Sequence, residues 1–386
     1  MKESITTSTV LAGILIVIVG FTGSLVLTFD VADKANLSPT QLSSWVWAIC
    51  VGSGILSLGL SWWYKQPVLA AWNTPGLALL ATDLAKYPLS DAVGVYLISG
   101  LVIALLGALG WFDRVIKLVP QNVALAVLAG ALFKFGLGLF TAVTLEPVLV
   151  LLMIAAFLGA KFLRSRVPML WALLVGFSSA AVLGKFSLNG IALEFAQPML
   201  IAPTFHLEAL LGLGIPLTAL ALASQNAPGL AVMRSFGYDP PTKGAMVSTG
   251  ILSALFAPLL SHGLTLAAIT AALGNSPEAH PDPKKRYGAG IVAGVLKIIL
   301  GLFGTTIVAL FLALPKPLTS GMAGLALSGT IASCLEGAFK ESNRRDSSIF
   351  ALLITASGAE FLGLGSAFWG LVIGAFVAGM LEKREA

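Results

Sequence analysis

Residues 10–29, 123–132 and 298–314 run almost without a side chain that water would solvate. Runs of this kind, repeated along 386 residues, suit lipid and little else. Charged residues make up 11 % of the chain, hydrophobic ones 57 %, and mean hydropathy is +0.93. An average soluble domain carries roughly 25 % charged residues. The chain therefore reads as an all-α polytopic membrane protein. A span takes about 20 residues, which leaves no room for a soluble domain beside the bundle. The net charge of +5 is an orientation signal here and says nothing of nucleic acid. Cys50 and Cys334 lie in apolar runs, which fits two buried thiols better than a disulfide framework. Met1-Lys2-Glu3 leads into a run long for the core of a signal peptide and without a clear cleavage site. It reads as a first span that is retained.

Helices are expected near 10–30, 41–63, 91–111, 120–141, 146–162, 167–184, 207–223, 242–257, 288–313, 318–335, 346–362 and 364–381. Two more apolar segments, 67–81 and 258–274, are short and interrupted by polar residues. Lysine and arginine decide whether these two cross. If both do, fourteen segments span the membrane with both termini inside. Of the 23 basic residues, only Lys34, Lys86, Lys185 and Lys316 then lie outside, with Lys134 and Lys297 within spans. Lys2, Lys117, Arg166, Lys383, Arg384 and the rest fall inside. Without the two crossings, the basic loops between Arg114 and Lys243 would change sides and the bias would vanish. The positive-inside rule thus favours fourteen.

Fourteen is twice seven, and a repeat of odd span number must be inverted in the membrane. The repeats would cover 1–200 and 201–386. Pro39-Thr40 and Pro241-Thr242 are one echo between them, opening the second and ninth spans. A longer echo pairs Pro67-Val-Leu-Ala-Ala-Trp-Asn-Thr74 with Pro258-Leu-Leu-Ser-His-Gly-Leu-Thr265. Each passes from proline through an extended stretch to a threonine able to cap a half-helix, over 74–84 and 265–273. Interrupted spans at matching places in two repeats point to a transporter's substrate site. Unwound backbone is tolerated in a bilayer only where protein buries it or a cavity borders it. A half-helix that starts there aims its free N–H groups at an anion.

Polar residues at depth narrow the site. Ser224, Gln225 and Asn226 follow an apolar stretch, and Gly20, Phe21, Thr22, Gly23 and Ser24 occupy the matching place in the first repeat. Such groups bind a ligand or hold neighbouring helices together. His262 is positioned to carry a proton or to serve as a bonded structural histidine. Glu336 and Glu360, toward span ends, are further candidates for proton coupling, and Lys134 and Lys297 are cations that need a partner. Trp45, Trp47, Trp62, Trp63 and Trp111 read as interfacial belts, whereas Trp72 precedes Asn73-Thr74 and is placed to face substrate. The sequence contains no phosphate-cradling loop, metal-ligand spacing or nucleophile–base set. No enzyme activity, cofactor or metal is expected.

Pro67-Val-Leu-Ala-Ala-Trp-Asn-Thr-Pro-Gly76 and Ala223-Ser-Gln-Asn-Ala-Pro-Gly-Leu-Ala-Val-Met-Arg-Ser-Phe-Gly237 resemble the bacterial benzoate:proton symporter family, and the likeness extends over essentially the whole chain. It implies the seven-plus-seven inverted-repeat fold shared with uracil/xanthine permeases and sulfate-permease-like anion transporters. A core domain (about 10–111 and 207–313) would then move against a gate domain (about 120–184 and 318–381). The substrate would bind at Phe21, Thr22, Gly23, Ser24, Trp72, Asn73, Thr74, Ser224, Gln225, Asn226, His262, Gly263 and Thr265. Multi-pass residence in the bacterial inner membrane and uptake of benzoate with a proton follow from the same resemblance. Uracil-type permeases carry carboxylates in spans 8 and 10; this chain has Gln225, Asn226 and His262 there. Amide donors suit an anionic carboxylate, which a buried acid would repel. A nucleobase or inorganic-anion carrier and a passive anion channel are the competing expectations. A homodimer through the gate domain is compatible with the fold.

Overall fold

The structure, a computed structural model, describes residues 4–116, 120–165, 167–185, 191–362 and 364–380. Lys2, Lys117, Arg166, Lys383 and Arg384, used above to orient the chain, lie outside these residues. In chain order the helices are α1 (Thr7–Gly20), α2 (Val26–Lys34), α3 (Pro39–Tyr64), α4 (Thr74–Asp83), α5 (Leu89–Leu109), α6 (Phe112–Ile116), α7 (Gln121–Leu145), α8 (Pro147–Phe162) and α9 (Pro168–Val182). The second half holds α10 (Leu207–Ala209), α11 (Ile215–Ala221), α12 (Ala227–Ser235), α13 (Thr242–Phe256), α14 (Ile269–Asn275), α15 (Tyr287–Leu302), α16 (Gly304–Leu312), α17 (Lys316–Ala338), α18 (Arg345–Ser357) and α19 (Ser366–Met380). Two short strands, β1 (Ala70–Trp72) and β2 (Leu264–Leu266), interrupt this helical order.

Among the described residues, five continuous helices are long and apolar enough to cross a bilayer: Pro39–Tyr64, Leu89–Leu109, Gln121–Leu145, Leu207–Ser235 and Lys316–Ala338. Pro283–Leu302 and Gly304–Leu312 make a sixth if a pair bent by 68° counts as one span. That bend corrects the expected continuous helix over 288–313. The helix expected to stop at 223 also continues, to Ser235. A π turn, Leu222–Asn226, absorbs the polar Ser-Gln-Asn stretch without ending the helix. Pro228 then falls in the first turn of α12, where its missing N–H is tolerated. A second π turn, Phe21–Leu25, joins α1 to α2 in the same manner.

Close packing rests on small residues. A Cβ on Gly54 of α3 would stand 2.7 Å from the Gly294 carbonyl of α15, and one on Gly294 would stand 2.7 Å from the Gly54 carbonyl. Gly100 of α5 and Gly250 of α13 meet equally closely, at 2.8 and 2.6 Å. Only glycine lets backbones approach to this distance, so each pair pins two helices together. Elsewhere α7 packs on α17 and α18, α18 on α19, and α8 on α9. Among the described residues the apolar interior is shared among three clusters, and one of them gathers Ile16, Leu69, Ala289 and Ala293 around the start of β1. Cys50 and Cys334 are buried free thiols. Of the tryptophans expected at interfaces, Trp62, Trp63 and Trp111 are exposed, but Trp45 is buried in the interior.

Candidate functional site

β1 and β2 pair antiparallel, with Ala70 opposite Leu266, Ala71 opposite Thr265 and Trp72 opposite Leu264. The ladder continues at both ends: Asn73 N–H donates to Gly263 O (3.0 Å) and Ala267 N–H to Leu69 O (2.8 Å). This pairing satisfies the inner edges of two extended segments deep in an apolar protein. Side chains satisfy the outer ones. Ser57 of α3 accepts from Ala70 N–H (3.0 Å) and donates to Ala70 O (3.2 Å). Ser253 of α13 accepts from Leu264 N–H (2.7 Å) and donates to Leu264 O (3.1 Å). Asn226 Oδ1 accepts from Leu266 N–H at 2.8 Å. Lys297 of α15 donates to Ala70 O at 2.5 Å. Buried backbone groups must find partners, and here four different helices supply them.

The two half-helices start differently from the sequence expectation. Asn73, and not Thr74, caps α4: its Oδ1 accepts from Gly76 N–H at 3.0 Å, while Thr74 is the first helical residue. The second half-helix begins at Ile269, so Thr265 caps nothing and lies inside β2. Its pairing with Ala71 holds it in an extended conformation. Gly263 has φ +125°, which an L side chain adopts only with strain, and its carbonyl is the one that receives Asn73 N–H.

His262 lies at the centre of these contacts and is 1 % exposed. Trp45 Nε1–H donates to its Nδ1 at 2.9 Å, and its Nε2 lies 3.1 Å from Asn73 O. Since an indole only donates, Nδ1 accepts, and the proton resides on Nε2 to donate to Asn73. The imidazole thus ties α3 to the cap of α4.

Around the crossing lie aromatic surface and polar atoms without protein partners. Phe21 meets Trp72 edge-on, with ring centroids 5.6 Å apart. Trp72 Nε1, Ser224 Oγ, Asn226 Nδ2 and Thr265 Oγ1 are buried and bond to no described residue. Gln225 is also buried. Ser24 is engaged by its own helix, donating to Gly20 O at 2.9 Å. The backbone of Thr22 and Gly23 follows the π turn. Glu336 and Glu360 are exposed. Glu360 lies 3.5 Å from Lys86, which also pairs with Asp83 at 2.8 Å.

Sequence reasoning missed Ser57, Ser253, Trp45 and the place of Lys297. A signal existed for the serines. Ser53, Ser57 and Ser61 recur every fourth residue of α3, and Thr249 and Ser253 do so on α13. Such a period gathers hydroxyls on one face of an otherwise apolar helix. Nothing local distinguishes Trp45 from its exposed neighbours.

A family model described as benzoate membrane transport protein matches residues 3–380. The chain is 39 % identical to the benzoate membrane transport protein of Acinetobacter baylyi, over 100 % of this chain and 98 % of that one. It is 38 % identical to the inner membrane protein YdcO of Escherichia coli, over 96 % and 95 %. Among solved structures, the transmembrane domain of the cyanobacterial bicarbonate transporter BicA superposes with a TM-score of 0.64 at 14 % identity, covering 95 % of this chain and 97 % of that domain. SLC26A9 superposes with a TM-score of 0.65 at 11 % identity, covering 97 % of this chain and 66 % of that one. At these identities the structural likeness establishes a shared fold and nothing further.

Proposed function

This chain belongs to the benzoate membrane transport protein family, and on that premise we propose that it imports benzoate or a close aromatic carboxylate by proton-coupled alternating access. The family consists of transporters, not enzymes. The observation that carries the reading is the cluster at the strand crossing. Buried donors on Trp72, Ser224, Asn226 and Thr265 have no partner within the described residues, and no acid stands among them. A carboxylate accepts such hydrogen bonds, which is a reason for groups costly to bury alone to be there. Phe21 and Trp72 offer apolar faces for a ring. The start of α4, capped by Asn73, adds partial positive charge.

We read the chain as fourteen crossings in two inverted repeats of seven, 1–200 and 201–386. Several pairings support this. The π turns Phe21–Leu25 and Leu222–Asn226 correspond, and β1 runs antiparallel to β2. Ser57 binds both backbone groups of Ala70 as Ser253 binds both of Leu264. The Gly54–Gly294 and Gly100–Gly250 contacts are likewise matched. In this reading α1–α5 and α10–α16 form the core, α7–α9 and α17–α19 form the gate, and both termini face the cytoplasm from the inner membrane. A homodimer would join gate to gate.

The His262 contacts favour a strut over a proton carrier, since both ring nitrogens are already engaged. The test compares benzoate, uracil and sulfate as stabilisers of the purified protein against heat, at two pH values. A ligand that binds only the folded state raises its apparent stability. Stabilisation by benzoate alone, stronger at lower pH, is expected. Stabilisation by uracil or sulfate would move the substrate to a nucleobase or inorganic anion. Flux that follows voltage without protons would indicate a channel.

A further inference from the structure

Trp72, Ser224, Asn226 and Thr265, the unpartnered groups of the candidate site, exchange no proton near neutral pH, and the three candidates named from sequence are engaged or exposed. Among the described residues, one amine is buried next to the crossing. We propose that Lys297 is the group that takes up and releases the transported proton. This rests on the reading above of an aromatic carboxylate importer.

Lys297 is 3 % exposed. Its amine reaches across the α3–α15 contact to Ala70 O at 2.5 Å. Ala70 stands two residues before Trp72 in β1 and opposite Leu266 of β2. An ammonium has three N–H donors, and a single carbonyl is the acceptor that the described residues offer this one. No carboxylate among them lies within 4 Å. Other buried charges in the molecule are better matched. Arg286 donates to the carbonyls of Asn275, His280 and Pro281, Asp83 has Lys86, and Asp91 has His206 at 2.7 Å.

The surroundings of Lys297 hold little else that titrates. α1, α14, α16 and β1, all packed near it, contain no ionisable side chain. α3 carries the buried Cys50 thiol, while Tyr64 lies at the far end of that helix against Gly244. On α15 itself Tyr287 is ten residues away, about 15 Å along the helix axis.

A charge in such a place is costly without a counter-ion. A carboxylate bound at the crossing supplies one. The anion then favours the ammonium, and the ammonium favours the anion by the same factor. Loading forms one Nζ–H bond on a neutral amine as one anion arrives, so the pair carries no net charge. When the anion leaves, the lone ammonium is disfavoured again and returns the proton to the solution on that side. The bond to Ala70 O links this exchange to the strand that presents Trp72 and Asn73.

The test uses the full-length purified protein, with benzoate as probe. Proton uptake on binding is followed with an indicator dye in weak buffer, and affinity by thermal stabilisation from about pH 6 to about pH 10. The wild type should take up close to one proton per benzoate over part of this range, where affinity falls about tenfold per pH unit. Lys297→Met should bind without proton uptake and with affinity independent of pH. Lys297→Arg, permanently charged, should bind across the range, again without uptake. It serves if the Met variant does not fold. Ser57→Ala removes the neighbouring bond to the same carbonyl and should leave proton uptake intact; loss of uptake in this variant too would assign the effect to the strand and overturn the assignment to the amine. Proton uptake that persists in Lys297→Met or Lys297→Arg overturns the assignment. So does a wild type that is stabilised by benzoate but binds no proton. A wild type that benzoate does not stabilise at any pH overturns the carboxylate reading first, and this one with it.

Discussion

Trp45 donates its indole N–H to Nδ1 of His262 across 2.9 Å. The bond settles the imidazole as the Nε2–H tautomer, whose remaining proton points to Asn73 O. To protonate Nδ1 would break the first contact and set two donors against each other.

His262→Gln should therefore lower thermal stability while leaving the pH dependence of benzoate binding unchanged. Loss of these buried bonds costs about 1–3 kcal/mol. Thermal unfolding with and without benzoate, repeated across pH, checks both parts. A pH dependence abolished in this variant would return the proton to His262.

The Asn226 amide is engaged at one end: Oδ1 holds Leu266 N–H, and Nδ2 has no partner among the described residues. Asn226→Asp keeps the acceptor and replaces the donor by a negative charge. It should fold close to normally yet bind benzoate at least about tenfold more weakly, an energy of about 1.4 kcal/mol. Asn226→Leu should lose stability as well, by about 1–3 kcal/mol, because Leu266 N–H is then buried alone. Titrating benzoate against melting temperature separates the two variants.

Ser57→Ala and Ser253→Ala each remove the side chain that serves both outer backbone groups of one strand residue. Each should destabilise by about 1–3 kcal/mol and by similar amounts. Strongly unequal losses, measured by thermal unfolding in detergent, would argue against equivalent roles in the two halves.

Gly263→Ala forces a Cβ onto backbone at φ +125°, at a strain cost of about 1–3 kcal/mol. Space is not the obstacle, since the nearest atom to that Cβ is Asn73 Cβ at 3.7 Å. The variant should melt earlier and bind benzoate more weakly, because relief of the strain moves the carbonyl that receives Asn73 N–H. Normal binding with reduced stability would show that this end of the ladder does not shape the site.

Glu336→Gln and Glu360→Gln should bind benzoate with the pH dependence of the wild type. Glu336 is exposed, and Glu360 is an outlying partner of Lys86. A flattened pH profile in either variant would place proton exchange outside the crossing.

Much of the candidate site was legible because it breaks the chain's own pattern. Asn73, Gln225, Asn226 and His262 interrupt runs that are otherwise apolar, and a polar group at that depth needs a reason. The caps were misjudged at Thr74 and Thr265 because capping depends on where a chain first turns helical. For β2 that point is set by pairing with β1, which lies nearly two hundred residues earlier in the sequence. The continuation of the helix through Asn226 was illegible for a related reason. A π turn adds a residue without ending the hydrogen-bond ladder, and composition does not mark it.

The sequence by itself determined the solvent, the helical class and the positions where regular structure would fail, because one-dimensional hydropathy and charge suffice to decide whether a segment tolerates lipid. The family, too, is written in its linear motifs. Tertiary structure alone decided which groups meet. It brought Trp45 from an expected interface to His262, placed Ser57 and Ser253 on the outer edges of two strands, and set Lys297 against Ala70. The Trp45–His262 and Lys297–Ala70 contacts join residues 217 and 227 positions apart. The serine contacts depend on strands that form only by pairing across the chain. The energies of all of them exist only once the helices have packed.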